Sequence, residues 1–92
     1  MPKQKDSLVT NNYRICFRPS VPGYGYQIHE VFYNTKKQII FYTQQPVSVQ
    51  GDDLLELYED ITKMWRAIEG EEPLDLDRLD KKFELHNDKT GE

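Results

Sequence analysis

The stretch Tyr26-Gln-Ile-His-Glu-Val-Phe-Tyr33 decides the fold, because its β-branched and aromatic residues favour extended backbone and predict a strand. His29 and Glu30 lie side by side at its centre and are residue types that serve in acid–base catalysis. Neighbouring side chains of a strand point to opposite faces of the sheet, so these two cannot meet directly. The pair therefore predicts two partly polar sheet faces and no catalytic dyad.

Two further strands flank this one. Tyr13-Arg-Ile-Cys-Phe-Arg18 alternates in strand fashion, and the prolines and glycines of residues 19–25 end it. Asn34-Thr-Lys-Lys37 predicts a hairpin turn that leads into a returning strand, Gln38-Ile-Ile-Phe-Tyr-Thr43. Short connections of this kind favour an antiparallel meander.

The register of the hairpin is left open by the sequence. A turn that is symmetric about its two central residues would place Ile40 opposite Val31 and Tyr42 opposite His29. A three-residue loop would exchange the side chains that the third strand contributes to each face. Both faces of the sheet are substantially apolar in either register.

An amphipathic helix follows the sheet. Asp53 and Glu56 resemble a capping box at its start, and Gly70 suits a glycine cap at its end. The apolar residues between them recur at steps of three and four, which predicts a wide stripe that packs on the sheet. The stripe consists of Leu54, Leu57, Tyr58, Ile61, Met64, Trp65 and Ile68.

These elements predict an α+β fold. We expect a three-stranded antiparallel sheet (β-β-β), one amphipathic helix packed on one face, and a short C-terminal helical or extended segment. The ends of the chain are polar, so residues 1–12 and 84–92 are predicted to be flexible tails around a single domain at 13–83.

The composition narrows the class of protein. Cys16 is the only cysteine among 92 residues, so no disulfide can form within the chain. No apolar leader or membrane-length run occurs, and we expect a cytoplasmic protein without a membrane partner. Residues 1–50 hold six Lys and Arg against two Asp and Glu, a net of +4, and residues 51–92 hold six against fourteen, a net of −8.

The sheet presents two apolar faces, but a single helix can bury only one of them. The sequence predicts that the second face is an interaction surface, formed by His29, Val31, Tyr33, Ile40 and Tyr42. A second copy of the chain is the favoured cover, since an apolar face is economically buried against itself. Another protein is a second possibility, and the C-terminal segment is a third, using Leu74, Leu76, Leu79 and Phe83.

Catalytic and metal-binding patterns are missing from the sequence. Asp75, Asp77 and Asp80 lack the central glycine and the terminal glutamate of a calcium loop. The glycine-bearing run Val21-Pro-Gly-Tyr-Gly-Tyr26 does not match a phosphate-binding loop. We therefore expect no metal, no cofactor and no enzymatic activity.

An alternative function is nucleic-acid binding by a basic and aromatic sheet surface. Arg14, Arg18, Lys36 and Lys37 would supply the phosphate contacts, beside several tyrosines that stack on bases. The acidic second half of the chain argues against this alternative, because broad nucleic-acid binding needs a basic footprint.

The pattern Tyr26-x-Ile-His-Glu-Val-Phe-Tyr33, then Thr43-x-x-Pro46 and Gly51-Asp-Asp-Leu-Leu-Glu-Leu57, resembles a group of small, mostly uncharacterised bacterial proteins. The turn departs from that group, because Asn34-Thr-Lys-Lys37 lacks its usual Asp and Gly. Bacterial or phage origin is what this resemblance implies.

Three strands followed by a helix that starts after Gly-Asp are more distantly similar to the HicB-like antitoxins. That resemblance implies a truncated ribonuclease-H-like β-β-β-α-β arrangement and an antitoxin-like or inhibitory protein that neutralises a partner. The DNA-binding module usually appended to such antitoxins has no counterpart in these 92 residues. We therefore expect a small, non-enzymatic protein-interaction module that forms a homodimer or binds another protein.

Overall fold

A computed structural model describes residues 10–91 of the chain, with side chains described through residue 85. The elements, in chain order, are β1 (Thr10–Phe17), β2 (Tyr26–Tyr33), β3 (Ile39–Tyr42), α1 (Leu54–Glu69), β4 (Leu74–Asp75) and α2 (Leu76–Gly91). Residues 10–12, which the sequence assigned to a tail, belong to β1. The rest of that predicted tail, residues 1–9, lies outside the described residues. Residue 92, at the end of the predicted tail 84–92, also lies outside them.

The sheet has four strands in the order β3-β2-β1-β4. The first three strands are antiparallel, as the sequence predicted, and the α+β class is confirmed. The prediction of only three antiparallel strands is wrong in detail, because β4 adds a parallel pairing in which Leu74 lies opposite Cys16. The segment after β4 is a helix of 16 residues rather than a short appendage.

The hairpin uses the three-residue loop, at residues 35–37. The Asn34 N–H donates to the Gln38 carbonyl at 2.9 Å, and Lys37 takes a left-handed φ of 64°. A β-bulge then shifts the register, so that Val31 lies opposite Tyr42 instead of Ile40. The symmetric register is therefore wrong. The Asn34 side-chain oxygen stabilises the longer loop by accepting two backbone N–H groups.

Both predicted ends of α1 are confirmed. The Asp53 carboxylate accepts the N–H of Glu56 at 2.9 Å, and the Glu56 carboxylate accepts the N–H of Asp52 at 2.9 Å. This is the reciprocal arrangement of a capping box, displaced by one residue on one side. Gly70 caps the other end and donates its N–H to the Arg66 carbonyl.

The two helices lie on opposite faces of the sheet. Tyr13 contacts α1 through a hydrogen bond to Asp60. Because alternate strand residues share a face, Ile15 and Phe17 also lie on the α1 face. Cys16 packs with Leu76 and Leu79 of α2, so it belongs to the α2 face. The described core lies mainly between the sheet and α2, where Tyr24, Ile39, Tyr42, Leu74 and Phe83 pack against this cluster.

Candidate protein-interaction surface

The surface that the sequence predicted on the second sheet face is largely covered by the chain itself. His29 and Val31 are buried, with 1% and 0% of their surface exposed, and Tyr33 and Tyr42 are half-buried. Ile40 is the exposed member because the bulge displaces it from this face. Of the three coverings that the sequence left open, the C-terminal segment is the one that lies on this face. The expectation that this face is open is therefore corrected.

His29 has a structural role on the α2 face. Its Nδ1 lies 2.8 Å from the carbonyl oxygen of Thr43, and its Nε2 lies 3.1 Å from the Tyr24 hydroxyl. A carbonyl can only accept, so Nδ1 carries a proton and donates to Thr43, whereas Nε2 lies between the Tyr24 hydroxyl and the Gln27 amide oxygen, 3.3 Å away. Glu30 lies on the α1 face, where Asn11 donates to its carboxylate. The adjacent pair is thus divided between the two faces, as strand geometry predicts.

A cluster of polar side chains fastens α2 to the sheet. We call Arg18, Tyr42, Asp77 and Asp80 the Arg18 clasp. Nη1 of Arg18 donates to Asp80 at 2.8 Å and to Asp77 at 3.2 Å, and Nη2 donates to the Tyr42 hydroxyl at 2.8 Å. The same hydroxyl donates to Asp80 at 2.6 Å. Burial and the Asp80 hydrogen bond both raise the pKa of Tyr42, so it remains a donor at neutral pH.

Two of the four residues proposed for nucleic-acid contact are engaged in ion pairs with acidic side chains. Arg14 pairs with Glu71 at 3.0 Å, and only 12% of its side chain is exposed. Arg18 is held by two carboxylates in the Arg18 clasp. Lys36 and Lys37 are exposed in the β2–β3 turn. Two of the four cations therefore serve ion pairs that hold the fold together.

The outstanding surface is on α1. Six of its large apolar residues are exposed, with exposed fractions from 49% to 83%. They are Leu54, Leu55, Tyr58, Ile61, Trp65 and Ile68, and we call them the outer stripe. Ala67 is the one buried residue of the helix, and Leu57 and Met64 are half-buried. The prediction that the whole apolar stripe packs on the sheet is therefore wrong for most of its members.

Polar contacts fix the rotation of α1 that points the outer stripe away from the sheet. The Tyr13 hydroxyl donates to Asp60 at 2.6 Å, and the Gln50 N–H donates to the same carboxylate at 3.1 Å. The hydrogen bond to Asp60 raises the pKa of Tyr13 to about 12. That hydrogen bond, with the one from Gln50, lowers the pKa of Asp60. Asp60 thus lies on the side of α1 that faces the sheet, and the outer stripe lies on the other side.

Aromatic side chains on the α1 face of the sheet add to the exposed apolar surface. Tyr26 is 71% exposed and Phe41 is 50% exposed. The Phe41 ring stacks on Phe32 with centroids 4.3 Å apart, and Tyr26 lies 5.7 Å from Phe17. These contacts hold the rings in place without covering them.

The outer stripe is large for a monomer. Six side chains of this size and exposure present on the order of 800 Å², whereas the largest apolar patch of a typical monomer is about 300–600 Å². Patches above that range usually mark contact sites. The outer stripe is therefore the candidate interaction surface.

Among residues 10–85 no three His, Cys, Asp or Glu side chains are arranged to hold a metal ion. Asp77 and Asp80 bind Arg18, and the Asp75 carboxylate accepts the N–H groups of Asp77 and Arg78. Neither α1 nor the described part of α2 is long and apolar enough to cross a membrane. No protein-family model, no curated protein and no solved structure matches the chain.

Proposed function

We propose that the chain is a small, non-enzymatic protein-interaction module and that the outer stripe of α1 is its contact surface. The observation that carries this proposal is the exposure of six large apolar side chains along one helix. Covering these side chains would remove on the order of 800 Å² of surface from water, which favours association. The affinity itself depends on how well the partner packs against the central side chains and not on the area alone.

An inhibitory or antitoxin-like role is the form of this function that we favour. The elements up to β4 follow the order β-β-β-α-β, and β4 is parallel to β1. This is the order that the resemblance to HicB-like antitoxins implied, and it supports the proposal at the level of architecture. A shared architecture does not by itself specify a function, so the proposal depends on the outer stripe.

The test is site-specific photo-crosslinking in cells that express the chain. A benzophenone amino acid replaces Tyr58, which is in the outer stripe and 66% exposed. The matched control carries the same group at Lys63, which is also exposed and lies on the opposite side of the helix. We expect a discrete protein adduct from position 58 and none from position 63. Absence of an adduct at position 58, or equal adducts at both positions, would overturn the proposal.

A further inference from the structure

If the proposed function holds, the properties of the core and of the outer stripe indicate which protein covers the stripe. We infer that a second copy of the chain covers it, with the two α1 helices packed antiparallel about a two-fold axis at Ile61. Three properties of the described residues lead to this inference: the small core, the size of the stripe and its near-symmetry.

The core is too small to leave the outer stripe uncovered. The buried apolar residues of the described chain are Cys16, Val31, Ala67, Leu76 and Leu79. A domain of about 70–80 residues gains little net stability from one core and usually needs an additional source of it. Cys16 is the only cysteine, so a disulfide within the chain is excluded as that source. A partner that stabilises the fold by binding must be present whenever the chain folds. A second copy of the chain is always present.

The outer stripe has the size that a stable dimer needs. A standard interface buries about 800 Å² on each partner, which the six exposed side chains supply. From Leu54 to Ile68 the stripe runs about 21 Å along the helix. None of the six side chains of the outer stripe carries a charge, and the charged residues Glu59 and Arg66 lie beside it. Depletion of charge at the centre is the compositional mark of an interface core.

The sequence of the outer stripe is nearly symmetric about Ile61. Leu54 lies seven residues before Ile61, and Ile68 lies seven after it. In an antiparallel pair Leu54 would therefore contact Ile68 of the partner subunit. Tyr58 lies three residues before Ile61 and Trp65 lies four after it, so Tyr58 would contact Trp65 of the partner subunit across the axis. A two-fold interface requires such a self-complementary surface.

Electrostatics favours the antiparallel direction only through the helix dipoles, which attract when they run in opposite directions. Acidic groups occur at both ends of α1, with Asp52 and Asp53 before it and Glu69 in its last turn. In an antiparallel pair these acidic residues would approach both Glu69 and Arg66 of the partner subunit, so attraction and repulsion largely offset each other. Repulsion between exposed charges is screened and is small beside the apolar term. Added salt should consequently have little effect on the dimer, whereas it would weaken the binding of a basic partner.

Disulfide trapping tests the geometry. Cysteine is introduced at Ile61, Leu54 or Ile68, and the native Cys16 stays in place because it is buried. We expect Ile61→Cys to cross-link with itself, and Leu54→Cys and Ile68→Cys to cross-link with each other on mixing. Lys63→Cys, which is exposed on the opposite side of α1, is the control and should form no disulfide-linked dimer. Cross-linking of Leu54→Cys with itself and of Ile68→Cys with itself would indicate parallel helices and overturn the inference.

Sedimentation equilibrium separates this inference from the proposed function. We expect twice the chain mass of 10.9 kDa at micromolar concentration. Trp65→Lys should weaken the self-association by more than about tenfold, as loss of a central aromatic anchor does. A wild-type monomer at high micromolar concentration, combined with foreign adducts from position 58, would refute the second copy and leave the proposed function standing. A monomer without any adduct would refute both.

Discussion

The two helices have the same length but use their apolar side chains in opposite ways. Both α1 and α2 contain 16 residues. α1 is much the more apolar, yet Ala67 is its one buried residue and its outer stripe faces away from the sheet. α2 is strongly polar, yet it buries Leu76 completely and Leu79 almost completely. The helix with fewer apolar residues therefore covers the core.

This difference shows that an amphipathic pattern identifies a helix without identifying what the helix contacts. α2 is positioned by residues distant in sequence, since Arg18 in the loop after β1 binds Asp80 in the helix. α1 is held on the sheet by the hydrogen bond between Tyr13 and Asp60. The proposal that a cover outside the chain packs on the exposed apolar residues of α1 rests on this difference.

The largest expected effect comes from matched leucine truncations on the two helices. Leu76→Ala should reduce the free energy of unfolding by about 2–5 kcal/mol, because it leaves a cavity in the core. Leu54 is 83% exposed, so Leu54→Ala should change the stability of the monomer by less than about 0.5 kcal/mol. Urea denaturation of both variants, at concentrations low enough to populate the monomer, measures the contrast. Equal losses would contradict the different roles of the two helices.

Much of the local structure could be predicted from the sequence. The strand patterns of residues 13–18, 26–33 and 38–43 predicted the first three strands, and the spacing of apolar residues after Asp53 predicted α1. Asp53 and Gly70 marked the ends of α1, because capping depends on short-range hydrogen bonds. These elements are specified by residues close together in the chain.

The rest depends on contacts between distant residues. Tyr13 and Asp60, which fix the rotation of α1, are 47 residues apart, and no periodic pattern announces their hydrogen bond. β4 has two residues, too few to show any alternation. The bulge takes Ile40 out of the strand pairing, so Ile39 packs on the α2 face while Ile40 is exposed. One clue was available for the candidate site: the apolar stripe of α1 is wider than one small sheet can cover.

A smaller effect is expected from the Arg18 clasp, which holds the covered face closed. Arg18→Met keeps the aliphatic stem and removes the bonds to Asp77, Asp80 and Tyr42. We expect a loss of about 1–3 kcal/mol in the free energy of unfolding, the range for hydrogen bonds to charged groups. Arg78→Met is the matched control, because Arg78 is exposed on the same helix. If both variants are as stable as the wild type, the leucines alone hold α2 in place.

The smallest expected effect is on the loss of stability of the fold at acidic pH. Burial opposes ionisation of Asp77, but hydrogen bonds from Ser20 and the charge of Arg18 outweigh it and lower the pKa of Asp77 below 3.8. A folded pKa below the unfolded value stabilises the fold above that unfolded value, and the contribution is lost as the pH falls through the folded pKa. Asp77→Asn should therefore weaken the dependence of stability on pH below about 4, measured as the urea midpoint at successive pH values. Glu84→Gln, an exposed change on the same helix, should leave that dependence as it is. If the two variants respond to acid alike, the carboxylate of Asp77 does not help to hold α2 on the sheet, and the polar attachment of this helix would depend on Asp80.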